Sequence, residues 1–152
     1  MNIYLVRHGE AASERIDPAR PLTRVGWEEV ERVADRAANK NIQVSAIFHS
    51  GILRAKQTAE IIAQHLGFGS GARELAGLLP QDDPSIAQAE LETAESPIML
   101  VGHLPHLSRL ASLLVRGEME KEIVQFAPAT MVCFANDVSG WKIAWTLAPQ
   151  SR

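Results

Sequence analysis

Residues 2–6, Asn-Ile-Tyr-Leu-Val, are almost unbroken in apolar side chains and pass without a spacer into Arg7-His8-Gly9-Glu10. An apolar run of this length suits a strand covered on both faces, as strands of parallel sheets between helices are. The pattern returns at Ser45 to Phe48, ahead of His49-Ser50, and at Pro97 to Val101, ahead of Gly102-His103. Three buried strands, each ending in a polar cluster, leave an α/β layer architecture as the economical solution.

Helical patterns fill the intervals. Thr23 is placed as an N-cap, followed by Trp27, Val30, Ala34 and Ala37 as one apolar stripe. Ser50 is expected to cap a second helix that turns Ala55, Ala59, Ile62 and Leu66 inward and stops at Gly67. Gly67 to Gly71 is turn-rich, Arg73 to Leu75 suits a short strand, and residues 84–94 suit a helix opened by Pro84. A further helix is expected from about Pro105, with Leu107, Leu110, Ala111 and Leu114 on its face and Gly117 past its end. The tail differs. Thr130 to Ala135 and Trp141 to Leu147 flank Asn136-Asp137-Val138-Ser139-Gly140, a hairpin signal. The expectation is a three-layer α/β/α fold whose mostly parallel central sheet has an antiparallel edge near the C-terminus, formed by a single domain over residues 1–152.

The chain of 152 residues is long enough to bury a core. Its net charge of −3 makes no electrostatic case for nucleic acid or an anionic membrane. No apolar run reaches membrane-spanning length, and Ile3 to Val6 is too short for a signal-peptide core. Cys133 has no partner for an internal disulfide and sits among apolar residues, which suits a reducing compartment. A soluble, cytoplasmic monomer is expected.

In open α/β sheets ligands gather outside the carboxyl ends of the strands. Here those exits carry Arg7-His8, then His49-Ser50 with Arg54 a helical turn on, then Gly102-His103. Two arginines can hold the oxygens of a phosphoryl group in bidentate fashion while staying charged. A neutral imidazole can attack phosphorus if a backbone acceptor holds its other nitrogen, and nearby positive charge helps keep it neutral. His103 is expected to be the cationic partner that donates to the oxygens as charge builds. His103-x-x-His106 also has a metal-like spacing, but no third Cys, His or carboxylate stands at recognised ligand spacing, so neither metal nor cofactor is expected.

Leu5-Val6-Arg7-His8-Gly9-Glu10 resembles the signature of the histidine phosphatase (phosphoglycerate mutase-like) superfamily. Ser50 to Glu60 resembles its second motif, S-x-x-x-R-A-x-Q-T-A, and Val101-Gly102-His103-Leu104-Pro105 its third. Within the superfamily the chain is most similar to SixA-type phosphohistidine phosphatases, through Asp17-Pro18-Ala19-Arg20-Pro21-Leu22-Thr23 with Gly26, the G-H-x-P third motif, and the short length. The resemblance runs from Met1 to about Pro149. It implies that His8 is the phosphorylated nucleophile and that Arg7, Arg54 and His103 form the phosphate pocket. It also implies a place near the substrate for Arg20, Gly9 and Ser50.

The departures are informative. Where the mutases continue with serine and asparagine, this chain has Ala11 and Glu14. The tryptophan-marked segment carrying their acid glutamate has no counterpart between Arg73 and Pro84, and the aspartate that follows the second histidine in acid phosphatases is Leu104 here. Glu10, Asp82, Asp83, His49 and His106 remain as candidate proton donors, although Asp82-Asp83 before Pro84 also suits a helix start. An alkoxide leaving group needs a proton in the transition state, whereas the imidazole of phosphohistidine has a conjugate acid titrating near pH ~6.5 and needs far less help. The expected substrate is therefore a phosphohistidine-bearing protein of the phosphorelay type. The alternatives are a small-molecule phosphomonoesterase and a phosphate-binding module without turnover.

Overall fold

The computed structural model describes residues 1–149; the last three residues of the expected span 1–152 lie outside the described residues. In chain order the elements are β1 (Asn2–Arg7), α1 (Arg24–Asn39), β2 (Ala46–His49), α2 (Leu53–His65), β3 (Ala72–Glu74), α3 (Pro84–Thr93), β4 (Ile98–Gly102), α4 (His106–Arg116), β5 (Met131–Asp137) and β6 (Gly140–Leu147).

The strands form one sheet in the order β3-β2-β4-β1-β5-β6. β1, β2, β3 and β4 run parallel, and β5 and β6 join as an antiparallel edge. Strand alternation divides the core. Tyr4, Val6, Ile47, Met99 and Val101 pack with Val30, Ala34, Ala55 and Ile62 of α1 and α2. Ile3, Leu5, Ile98 and Leu100 pack with Leu91 of α3 and Leu107 and Leu110 of α4. The apolar runs of β1 and β4 are continuous because each residue meets one of these two layers.

Helix ends follow local chemistry, with two corrections. Thr23 caps α1, its hydroxyl accepting from the Gly26 N–H at 3.0 Å. Trp27, expected on the buried stripe, is 42% exposed; the buried face is Gly26, Val30, Val33, Ala34 and Ala37. Ser50 does not cap α2. The N-cap is Ile52, without a side-chain bond; Ser50 stands two residues ahead of it, with its hydroxyl shared between the Ile52 N–H and His103 Nε2. Gly117 closes α4 at φ 77°, and Asp83 caps α3 by accepting from the Ser85 N–H at 3.0 Å.

The sheet order matters most for function. β2, β4 and β1 are neighbours, and their registers pair His49 with Val101 and Arg7 with Gly102. Three polar clusters separated by tens of residues therefore leave the sheet at one level, side by side.

Candidate active site

His8 follows β1 and is 9% exposed. Its backbone is gripped on three sides: its N–H donates to the Gly102 carbonyl at 3.1 Å, its carbonyl accepts from the Ala129 N–H at 3.1 Å, and the following Gly9 N–H donates to the Thr58 hydroxyl at 3.1 Å. The ring is fixed as well. Nδ1 lies 2.7 Å from the Gly9 carbonyl oxygen. A carbonyl only accepts, so Nδ1 carries the proton and Nε2 keeps its lone pair. Burial pushes the His8 pKa down to about 4, and the guanidiniums of Arg54, Arg7 and Arg20 push in the same direction. The ring is neutral at physiological pH.

The sharp turn after His8 rests on close packing. A Cβ on Gly9 would lie 2.7 Å from Val30 Cγ2, and one on Gly26 would lie 2.1 Å from the Glu10 carbonyl oxygen. The β1 exit thus passes directly over the start of α1, which explains glycine at both positions. Thr23 donates its hydroxyl to Glu10 Oε1 at 2.7 Å, so the candidate acid Glu10 is tied to the end of α1.

His103 follows β4 and is 2% exposed. Its ring centroid lies 5.0 Å from that of His8, with the planes tilted by 54°. Nε2 is 2.6 Å from the Ser50 hydroxyl, whereas Nδ1 is buried without a hydrogen-bond partner. The cationic form expected of His103 concerns a site with a phosphoryl group bound, and the unliganded site differs. Burial lowers its pKa to about 3, helped by His8, Arg54, His106 and Arg7, so the unliganded site holds two neutral imidazoles. An arriving dianion is what would reverse that field.

The arginines are set differently. Arg7 donates from a terminal guanidinium nitrogen to the Phe126 carbonyl at 2.8 Å, while its buried Nε is unpartnered. Arg54, in the first turn of α2, also has a buried Nε without a partner. Burial lowers both pKa values, and Arg20 lies near enough to Arg54 to add to the effect there. Arg20 adopts φ 49° and donates from Nε to the Ala12 carbonyl at 2.9 Å, which fixes it in the loop after β1. Arg7, held at Phe126, and Arg54 thus each keep an unpartnered Nε–H, the donor type that suits a tetrahedral oxyanion.

Of the remaining candidates, His49, Asp82 and Asp83 have structural partners, and His106 lies near enough to His103 to act on it. His49 Nδ1 accepts from the Gly51 N–H at 3.0 Å, and burial lowers its pKa. His106 is fully buried with both ring nitrogens unpartnered, and burial again lowers its pKa. Asp82 Oδ2 accepts from the Leu79 N–H at 2.9 Å, and Asp83 caps α3. No group of three or more His, Cys, Asp or Glu side chains among the described residues is arranged to hold a metal. Sequence reasoning missed Thr58 and the stretch from Phe126 to Thr130. Thr58 had a signal, as a polar residue on the inward stripe of α2; the 126–130 stretch had none, since it contributes backbone atoms.

The model of the histidine phosphatase superfamily (branch 1) matches residues 3–78, which carry His8, Arg54 and Ser50. The chain belongs to the histidine phosphatase superfamily. Over 155 aligned residues it is 28% identical to phosphohistidine phosphatase SixA of Escherichia coli (strain K12), covering 98% of this chain and 94% of that protein. It superimposes with a TM-score of 0.84 on a solved structure of the protein histidine phosphatase SixA complexed with tungstate, at 28% identity and 98% and 97% coverage. Similarity to the probable phosphoglycerate mutase GpmB of Salmonella choleraesuis (strain SC-B67) is 40% but spans only 84 residues, 49% of this chain and 38% of that protein. The likeness to SixA therefore extends over the whole molecule, including the His103 exit and the antiparallel edge. No helix of the described residues is long and apolar enough to cross a membrane.

Proposed function

We propose that this protein is a phosphohistidine phosphatase that removes phosphate from a histidine-phosphorylated protein through a phospho-His8 intermediate. The observation that carries the reading is the tautomer of His8: Nδ1–H is committed to the Gly9 carbonyl, so the free nitrogen of a buried, neutral ring is Nε2. In the first step Nε2 attacks phosphorus while the bond from phosphorus to the partner's imidazole nitrogen breaks. That nitrogen keeps the electron pair and takes a proton from solvent. In the second step water attacks phospho-His8, inorganic phosphate leaves, and His8 is restored. Arg7, Arg54 and His103 hold the phosphoryl oxygens, with Arg20 at the rim and Ser50 behind His103.

The choice of leaving group rests on charge. Every charged side chain acting on the rings of His8 and His103 is basic. With Glu10 tied to Thr23, and Asp82 and Asp83 to main-chain N–H groups, such a site favours a leaving group that departs without a donated proton. The full-length similarity to a phosphohistidine phosphatase supports the same substrate class. Function over residues 1–152 as one domain, in the cytoplasm, belongs to this reading.

The test follows phosphate loss from a histidine-phosphorylated phosphotransfer domain, with EDTA present and an alkyl phosphate run in parallel. Wild type should consume the phosphohistidine faster than the ester, and His8→Ala should consume neither. Equal turnover by His8→Ala would remove the nucleophile assignment. A faster ester reaction would move the substrate class to small phosphomonoesters.

A further inference from the structure

Thr58 is fully buried on α2, four residues after Arg54. Its hydroxyl makes two hydrogen bonds that meet at the site: it accepts from the Gly9 N–H at 3.1 Å and donates to the Arg54 carbonyl at 2.8 Å. The first fixes one side of the peptide between His8 and Gly9. The other side is fixed by the Ala129 N–H on the His8 carbonyl, also at 3.1 Å. The Gly9 carbonyl, which sets the His8 ring at 2.7 Å, belongs to the next peptide and is placed by this one through the Gly9 Cα, itself packed against Val30. One residue earlier on the same helix, Gln57 Oε1 accepts from the Leu22 N–H at 2.8 Å and holds the far end of the loop that follows β1.

We propose that Thr58 is a positioning residue that couples the nucleophile to the phosphate-binding arginine: it holds the His8–Gly9 peptide, from which the Gly9 carbonyl is set on the His8 ring, against the helical turn that carries Arg54. The inference rests on the proposed reaction, in which Nε2 of His8 must lie in line with a phosphoryl group held by Arg54. A hydroxyl suits the task because it accepts and donates at once. The Gly9 N–H depends on this hydroxyl because Gly9 is buried, whereas the Arg54 carbonyl also sits in the helical ladder and takes the hydroxyl as a second donor. Without the hydroxyl, the Gly9 N–H is left without an acceptor, and rotation of the peptide would recover one at the expense of the ring's aim.

The test compares Thr58→Val, which keeps shape and burial, with Thr58→Ser, which keeps the hydroxyl. Thr58→Val should lower kcat about 10- to 100-fold with KM for the phosphorylated protein changed less than about threefold, as expected when a supporting bond rather than a binding contact is lost. Thr58→Ser should recover most of kcat. Nitrogen-15 spectra of the His8 ring, taken without substrate, should show a single Nδ1–H tautomer in wild type and Thr58→Ser, and a mixture in Thr58→Val. If Thr58→Val folds and keeps both kcat and the wild-type tautomer, the proposal is wrong. It is equally wrong if Thr58→Ser is as impaired as Thr58→Val. The ring spectra separate this from the reaction itself: a wild-type protein that turns over no phosphohistidine, yet loses its tautomer on Thr58→Val, would overturn the reaction and keep the clamp.

Discussion

The two histidines stand at neighbouring strand exits, 5.0 Å apart, and are held in opposite ways. His8 is fixed by main chain: Gly102, Ala129 and Gly9 supply its partners, and the ring proton ends on a carbonyl. His103 is fixed by one side-chain hydroxyl, from Ser50, and its second nitrogen is buried with no partner. A group that is to form a bond to phosphorus must be aimed before the substrate arrives, and main-chain contacts in a turn held by Thr58 and Ala129 provide that aim. A group that answers charge on the phosphoryl oxygens needs an uncommitted nitrogen. The difference in anchoring therefore marks a difference in role, although both residues are His at the end of a parallel strand.

The sharpest way to break this comparison is to remove each ring in turn. His8→Ala should cost at least about 10^4-fold in phosphohistidine turnover, since no bond to phosphorus can form. His103→Ala should cost about 10^2- to 10^3-fold, the usual scale for losing one donor to a developing oxyanion. Rapid-quench trapping of the labelled intermediate checks the assignment: His103→Ala should still form phospho-His8, only more slowly. Equal losses in the two variants, with no intermediate in either, would show that the rings act as one unit.

The next effect is on pH. A His8 pKa lowered to about 4 means that the native ring stays neutral where an unperturbed imidazole, near 6.5, is mostly protonated. At pH 5.5 an ordinary histidine would be neutral in only about a tenth of molecules, so kcat/KM at that pH should exceed the ordinary expectation about tenfold. Carbon-bound proton shifts of His8 in the unliganded protein give the midpoint directly, and one near 6.5 would contradict the buried, arginine-flanked ring. The stability consequence has a definite sign. Between pH 6.5 and about 4 the unfolded chain binds a proton at His8 that the native site refuses, so stability rises with pH across that window and falls on acidification. His103, lowered to about 3, adds to the same slope.

How far these features could be read from sequence follows the same division. The strand runs, the helix cap at Thr23, the C-terminal hairpin and the clusters at the strand exits were legible because each is a local pattern of side chains. Sheet order was not local. That β2, β4 and β1 lie side by side with His49 opposite Val101 and Arg7 opposite Gly102 is a pairing property, and it brings the clusters together. The role of Ser50 was misread as a helix cap because a serine ahead of a helix usually is one; here His103, 53 residues away in sequence, takes its hydroxyl. The charge of His103 in the empty site was not legible either. Residue type suggests a cation, but burial beside His8, Arg54, His106 and Arg7 makes the neutral form cheaper. The anchors on His8 at Ala129 and on Arg7 at Phe126 are backbone atoms, to which side-chain patterns are blind.

The smallest predicted effect tests whether the hydroxyl of Ser50 serves His103 or the substrate. The hydroxyl lies 2.6 Å from His103 Nε2 and also accepts from the Ile52 N–H at 3.2 Å. If its part is to hold the ring, Ser50→Ala should lower kcat about fivefold, the worth of one ordinary hydrogen bond, and leave KM nearly unchanged. The same substitution in a His103→Ala background should then cost nothing further, because there is no ring left to hold. Calorimetric binding of tungstate to the two single variants and the double variant supplies an independent reading of the same cycle. A Ser50→Ala cost that persists without His103 would mean that the hydroxyl reaches the oxyanion itself. In that case the β2 exit would belong with the arginines in holding phosphate, and His103 would owe its orientation to the bound phosphoryl group rather than to Ser50.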